Sequence, residues 1–351
     1  MTQERKPQRN KFLTIQVARG LAALIVAFYH GSNSIKVALA MPVHPFGILF
    51  QFGHAGVDFF FVLSGFIIFH VHRNDINRPD RLSEFAWKRI TRIYPLFWFI
   101  MIFITAKFIA LGDFKWMHFA KTIFLLPQPP LPMLMQSWTL VHEQLFYLFF
   151  GLTIFNMRFA IFASALWLCG FAASPLVNLP SSGTVRDIID NLWSTYNLEF
   201  LVGILVAWLH LKDRRIDPWL TMTSGLAIFS ATAIADNYQY FSSSTNASIL
   251  LYGASSGMII LGSVTAEARG MIRLGSWAEI MGDVSYPLYL VHGIVISITT
   301  TLLSKLYAKG LPASAILITA VIGSCIVAYL LNRFIERPIA RHLRKFWKER
   351  H

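Results

Sequence analysis

Only two cysteines occur in 351 residues, and charged residues make up just 14% of the chain. Cys169 and Cys325 both sit within apolar runs, so they read as packing residues, and neither a disulfide framework nor a thiolate metal site is expected. Charge this sparse, with 55% hydrophobic residues and a mean hydropathy of +0.52, excludes an ordinary soluble globule and fits a polytopic membrane protein. Acidic residues are scarcer still, 18 against 31 Lys and Arg. No phosphate-cradling Gly-rich Lys loop, nucleophile elbow, His-Glu-x-x-His helix or clustered metal-ligand spacing is present. His54, His70 and His72 are scattered, and no metal site is expected. There is no internal repeat, no low-complexity linker, and no soluble stretch long enough for a separate domain.

What the chain does have is a series of apolar runs. Stretches long enough to cross ~30 Å of hydrocarbon fall near 12–31, 47–71, 92–111, 137–156, 159–178, 191–211, 218–236, 247–265, 283–304 and 312–334. The expected fold is therefore all-α, a polytopic bundle of about ten transmembrane helices forming one domain over 1–351. The fourth and fifth runs are separated only by Asn156-Met157-Arg158. Residues 112–136 carry Leu126-Pro-Gln-Pro-Pro-Leu-Pro132, which cannot be regular helix, so an extracytoplasmic loop or a re-entrant element is expected there.

Basic residues set the orientation. Most Lys and Arg fall in the N-terminal tail, in the segment from Arg73 to Arg92, around Lys212 to Arg215, at Arg269 and Arg273, and in the C-terminal end from Arg333 to Arg350. With an even number of spans these segments share one side, which the positive-inside rule makes cytoplasmic. Both termini then lie in the cytoplasm, as short tails 1–11 and 335–351. The basic N-terminus lacks a small-residue cleavage site, so no signal peptide is expected. The net charge of +13 is a topology signal, dispersed among loops without a recognition motif, so no nucleic-acid partner is expected.

Several apolar runs carry residues that are costly at membrane depth. Arg19 and His30 lie eleven residues apart in the first run. At 100° per residue both project from one face of a helix, ~16 Å apart along its axis, as one polar stripe along one cavity. The second run opens with Gly53-His-Ala-Gly-Val-Asp-Phe-Phe-Phe-Val-Leu-Ser-Gly65. There the glycines allow close helix packing and Asp58 either caps locally or pairs with Arg19 or His30. Arg89 and Arg92 are three apart at the start of the third run. They are either positive-inside anchors or a site for a phosphorylated ligand, because guanidinium groups match phosphate oxygens in charge and geometry. Glu143, next to His142 in the fourth run, is a functional candidate or an interhelical partner for an arginine. His292 in the ninth run reads as a buried, hydrogen-bonded histidine, and Glu336 and Arg337 read as interfacial.

Taken in order, these blocks resemble acyltransferase family 3 membrane proteins, which include enzymes that O-acetylate exopolysaccharide, O-antigen and Nod factors. The resemblance rests on Arg-x10-His at 19–30, Gly-Val-Asp-Phe-Phe-Phe-Val-Leu-Ser-Gly at 56–65 and Arg-x2-Arg-Ile-Tyr-Pro at 89–95. Ser-Trp-Thr-Leu-x-x-Glu-x-x-Phe-Tyr at 137–147, Ser-Tyr-x-Leu-Tyr-Leu-x-His at 285–292 and Ile-Glu-Arg-Pro at 335–338 extend it over nearly the whole chain. His142 and Asp283 depart from the usual pattern. The resemblance implies that His30 is essential to acyl transfer with Arg19 beside it, that Arg89 and Arg92 engage the acyl donor, usually acetyl-CoA, and that Glu143 is important. It implies an acyltransferase of the cell inner membrane whose acceptor is a polysaccharide or a lipid-linked oligosaccharide; self-association is left open. In physical terms His30 would serve as the base for a sugar hydroxyl, oriented by Asp58 or Glu143, with Arg19 stabilising the oxyanion or holding the carboxylate. The rival readings are a secondary transporter, against which the absence of paired halves counts, and a non-catalytic component of a polysaccharide assembly complex.

Overall fold

The computed structural model describes residues 12–128, 131–173, 183–212, 215–240 and 245–350, and the elements among them are helical. The N-terminal tail and Pro129-Pro130 of the proline-rich loop lie outside the described residues. In chain order the helices are α1 (Leu13–Ala38), α2 (Ala55–His72), α3 (Leu82–Ala110), α4 (Trp116–Ile123), α5 (Trp138–Phe155) and α6 (Met157–Ala173). They continue with α7 (Thr184–Leu192), α8 (Tyr196–Lys212), α9 (Pro218–Asn237), α10 (Asn246–Ala268), α11 (Trp277–Tyr307), α12 (Ala313–Leu331) and α13 (Arg337–Arg350).

Among the described residues, eight helical stretches are long and apolar enough to cross a membrane. They account for all the expected spans except the fourth and fifth, which are the helices α5 and α6, of 18 and 17 residues. Asn156 alone joins these two. Its backbone is extended, and its side-chain Oδ1 accepts from the N–H groups of Arg158 and Phe159 at 2.9 and 3.1 Å, capping the start of α6.

The segment before α5 enters the bundle, as a re-entrant element would. Met133, Leu134, Gln136 and Ser137 are buried. Tyr289 on α11 donates its hydroxyl to the Gln136 carbonyl at 3.4 Å and lies 3.0 Å from the Thr139 hydroxyl. Irregular backbone is tolerated at such depth only where protein surrounds it. α5 thus begins against α11.

Small residues set the helix spacing that the site depends on. A Cβ added to Gly65 would lie 2.1 Å from the Phe200 carbonyl oxygen, and one on Gly203 would lie 2.0 Å from that of Val62. α2 and α8 therefore touch backbone to backbone. α1 also meets α11 at a glycine, with Gly282 pressed on the Gln16 side chain. Gly203→Val should wedge α2 from α8 and cost ~1–3 kcal/mol, as overpacking does. The check is a melting curve in detergent, where a wild-type midpoint would mean that the contact does not set the spacing.

The C-terminal tail is helical. A π-helical turn, Asn332–Glu336, links α12 to α13. Pro338 has no N–H to offer the Phe334 carbonyl, which loosens the register there. α13 then packs on α3, with Trp347 stacked on Trp87 at 5.2 Å between ring centroids.

Candidate active site

Two polar clusters lie along α1, one at each end of the expected stripe. The arginine end gathers Arg19, Arg89, Arg92, Glu143, Asp283, Glu336 and Arg337. Arg92 pairs with Glu336 at 2.9 Å, and its guanidinium lies over the Tyr286 ring at 5.3 Å. The π-helical turn aims Glu336 at this pairing, and Asn332 donates both to Glu336 and to the Asp283 carbonyl, at 2.8 and 3.0 Å. Asp283 pairs with Arg337 at 2.8 Å. Glu336, Arg337 and Asp283 are thus parts of one ionic network that ties α3, α11 and α13 together. Sequence alone had placed the first two only at the interface.

Two arginines here have no carboxylate within 4 Å among the described residues. Arg19 Nη1 donates to Gln16 Oε1 at 3.3 Å. Arg89 lies over the rings of Phe85 and Tyr147, at 5.7 and 5.6 Å, and its buried Nε has no hydrogen-bond partner. Sharing a helix face has therefore not given Arg89 and Arg92 the same job. Arg92 is engaged by an acid, and Arg89 is open to an anion. Glu143 accepts hydrogen bonds from the Tyr147 hydroxyl and, at 3.4 Å, from Ser64. Its field reaches Arg19 and Arg92, so it belongs to this end.

The histidine end is built by α1, α2, α8, α9, α10 and α11. His30 faces His292 with ring centroids 5.2 Å apart. His292 is fully buried, and its Nδ1 lies 3.1 Å from the Leu288 carbonyl oxygen. That nitrogen must carry the hydrogen, because a carbonyl only accepts. His292 Nε2 is then a bare lone pair, buried without a partner. The Tyr29 ring stands edge-on to both His30 and His54, at 5.1 and 5.6 Å. His54 Nε2 lies 2.6 Å from Asp236 Oδ2, which also accepts from the Tyr252 hydroxyl at 3.1 Å.

Asp58 does not pair with Arg19 or His30. Its buried carboxyl faces that of Glu199 across the α2–α8 contact, within hydrogen-bond reach. Asp58 Oδ1 and both Glu199 carboxylate oxygens are buried without another hydrogen-bond partner. Glu143 is likewise not beside His30, so the residue next to His30 is a second imidazole and not an orienting carboxylate. His142 is buried at 3.1 Å from Asn197 Oδ1, a satisfied core histidine.

Sequence reasoning passed over Tyr29, Glu199, Asp236 and Tyr252, and weighed His54 only as a metal ligand. Glu199 and Asp236 carried a usable signal, since each is a carboxylate in a stretch able to cross the membrane. The tyrosines carried none.

The acyltransferase domain model of family 3 matches residues 12–333, and this chain belongs to that family, as an acyltransferase. It is 29% identical over 311 residues to the exopolysaccharide production protein ExoZ of Rhizobium meliloti, covering 83% of this chain and 91% of that protein. It is 27% identical over 329 residues to the putative peptidoglycan O-acetyltransferase YrhL of Bacillus subtilis, and 24% identical over 342 residues to the peptidoglycan O-acetyltransferase OatA of Listeria monocytogenes. Those alignments cover 82% and 83% of this chain but 50% and 52% of the two relatives. No solved structure matches the chain.

Proposed function

We propose that the protein is a cell-membrane O-acyltransferase that moves an acyl group, acetyl in the first instance, from acyl-CoA to a hydroxyl of an exported polysaccharide or its lipid-linked precursor. One observation carries the reading. A single helix, α1, presents Arg19 to an anion-ready cluster and His30 to an imidazole cluster, ~16 Å apart along its axis. The names of the relatives, exopolysaccharide production and peptidoglycan O-acetylation, support a glycan acceptor. The clustering of basic residues supports a ten-span topology in the inner membrane with both termini in the cytoplasm. The arginine end is then cytoplasmic and the histidine end faces outward.

In this reading the CoA phosphates dock on Arg89 at the inner boundary, where an open guanidinium and two aromatic faces meet. Arg92, held by Glu336, shapes that mouth. The acyl thioester extends along the stripe toward His30. His30 removes the hydroxyl proton as the oxygen attacks the thioester carbon, a contribution of roughly 10²–10⁴ in rate. The C–S bond breaks, and the proton passes on to the leaving CoA thiolate. Arg19, ~16 Å along α1 from His30, is too far to meet the oxyanion there and instead helps hold the anionic donor on the stripe, with Glu143 nearby. Asp58 acts at one remove, through Glu199 and the α2–α8 contact.

Deleting the gene and recording proton NMR spectra of the exported polysaccharides should reveal the loss of O-acyl ester signals, restored by the wild-type gene. Ester signals that survive deletion at full intensity would refute the assignment.

A further inference from the structure

A cavity of about 610 Å³ opens beside the histidine end, and the chemistry above makes no use of its lining. Tyr29, Lys36, His44, Gln51, Asp236 and Asn237 are among the residues around it. Three of these carry a buried polar atom with no hydrogen-bond partner, namely His44 Nδ1, Gln51 Nε2 and Asn237 Oδ1. An unsatisfied buried polar atom costs ~1–3 kcal/mol, so three around one cavity point to a polar ligand that completes them.

The balance of charge says which kind. Lys36 Nζ lies 3.4 Å from His44 Nε2 and has no carboxylate within 4 Å among the described residues. An ammonium only donates, so His44 Nδ1 carries the ring hydrogen, and the Ser32 backbone also bears on this ring. Burial and the neighbouring ammonium push the His44 imidazole below its ordinary range, which keeps it neutral at pH 7. Asp236, the acid among the described lining residues, is already held by His54 and Tyr252. The cavity therefore offers one uncompensated cation, an open N–H donor on Gln51 and an open acceptor on Asn237. Position ties it to the transfer path, because Tyr29 lines the cavity and its ring edge meets His30.

We propose that this cavity is the acceptor subsite and that it takes an acidic sugar, with the sugar carboxylate on Lys36 and hydroxyls on Gln51 and Asn237. The word acceptor rests on the acyltransferase reading above; the binding of an acidic glycan does not.

The test uses purified full-length protein in detergent micelles without acyl donor. The probes are a glucuronate-containing oligosaccharide and the same oligosaccharide with its carboxyl reduced to the alcohol. The acidic form should bind about tenfold more tightly, the discrimination expected of one partly desolvated ion pair. Lys36→Met should erase the difference between the probes, and Lys36→Arg should keep it. Equal binding of the two probes by wild type, or no binding of either, would overturn the proposal. So would a Lys36→Met protein with a wild-type melting point that still prefers the acid. In a second arm with acetyl-CoA added, a protein that binds the acidic probe yet never acylates it would sink the transfer reading and leave the subsite standing. Acylation without acid preference would do the reverse.

Discussion

His30→Ala should reduce O-acylation of the glycan to background while the protein still accumulates in the membrane. The imidazole is the group on the α1 stripe suited to take a hydroxyl proton near neutrality, and its loss removes the base and leaves His292 without a neighbour. A fall of at least 10² in turnover is expected, the lower bound for a lost general base. Mass spectrometry of the glycan, with an immunoblot of the membrane fraction, reads both quantities. Acylation at a wild-type level in that variant would take His30 out of the chemistry. His292→Gln separates two roles for the pair. Gln can accept a hydrogen bond but cannot carry a proton at neutral pH, so a variant that stays active with an unshifted pH profile assigns His292 to positioning His30. A loss as deep as that of His30→Ala would make the two rings one proton-handling unit.

Arg89→Ala should raise the KM for acyl-CoA by ~10–100-fold with a small change in kcat. A hydrogen bond to a charged group contributes ~1.5–3 kcal/mol, and guanidinium–phosphate contacts are of that strong kind. Arg89 has no carboxylate to release, so its removal leaves no acid stranded. Arg92→Ala behaves differently, because it strands Glu336 in the network that joins α3, α11 and α13. The expected result is a lower melting point alongside any kinetic change, since breaking a part-buried pair leaves a charge uncompensated. Steady-state kinetics against acyl-CoA and melting curves on both variants decide the matter. An unchanged KM in the Arg89 variant would make that residue a topology anchor. Equal KM effects from both variants, with no loss of stability, would mean that Glu336 does not hold Arg92.

Much of the architecture was readable from the chain because a bilayer imposes one-dimensional rules. Length and hydropathy mark a helix that crosses, and a charged residue within it marks an inward face. Those rules located Arg19, His30, Asp58, Glu143, Arg89 and Arg92 on their helices, and proline content marked the segment that dips into the bundle. They placed α5 as the fourth run but did not show that it starts against α11, since hydropathy carries no information on which helix a segment meets. They gave Asp58 the wrong neighbour because pairing was judged from the nearest helices in sequence. Gly65 and Gly203 instead bring α8 against α2, so Glu199 arrives from far along the chain. The same limit hid the partner of His30.

The sequence by itself determined that this chain lives in a membrane, that its helices carry an arginine-to-histidine stripe, and that its motifs are those of an acyltransferase family. The first follows from hydropathy and run length, the second from spacing along one helix, where 3.6 residues per turn fixes which side chains share a face, and the third from the order of the motif blocks. Tertiary structure decided who meets whom: Arg92 with Glu336, Asp58 with Glu199, His54 with Asp236, and His30 with His292. Those pairings depend on how closely helices approach and at what depth, and both are set by small residues and irregular turns on partner helices, which no periodicity within a single helix can encode.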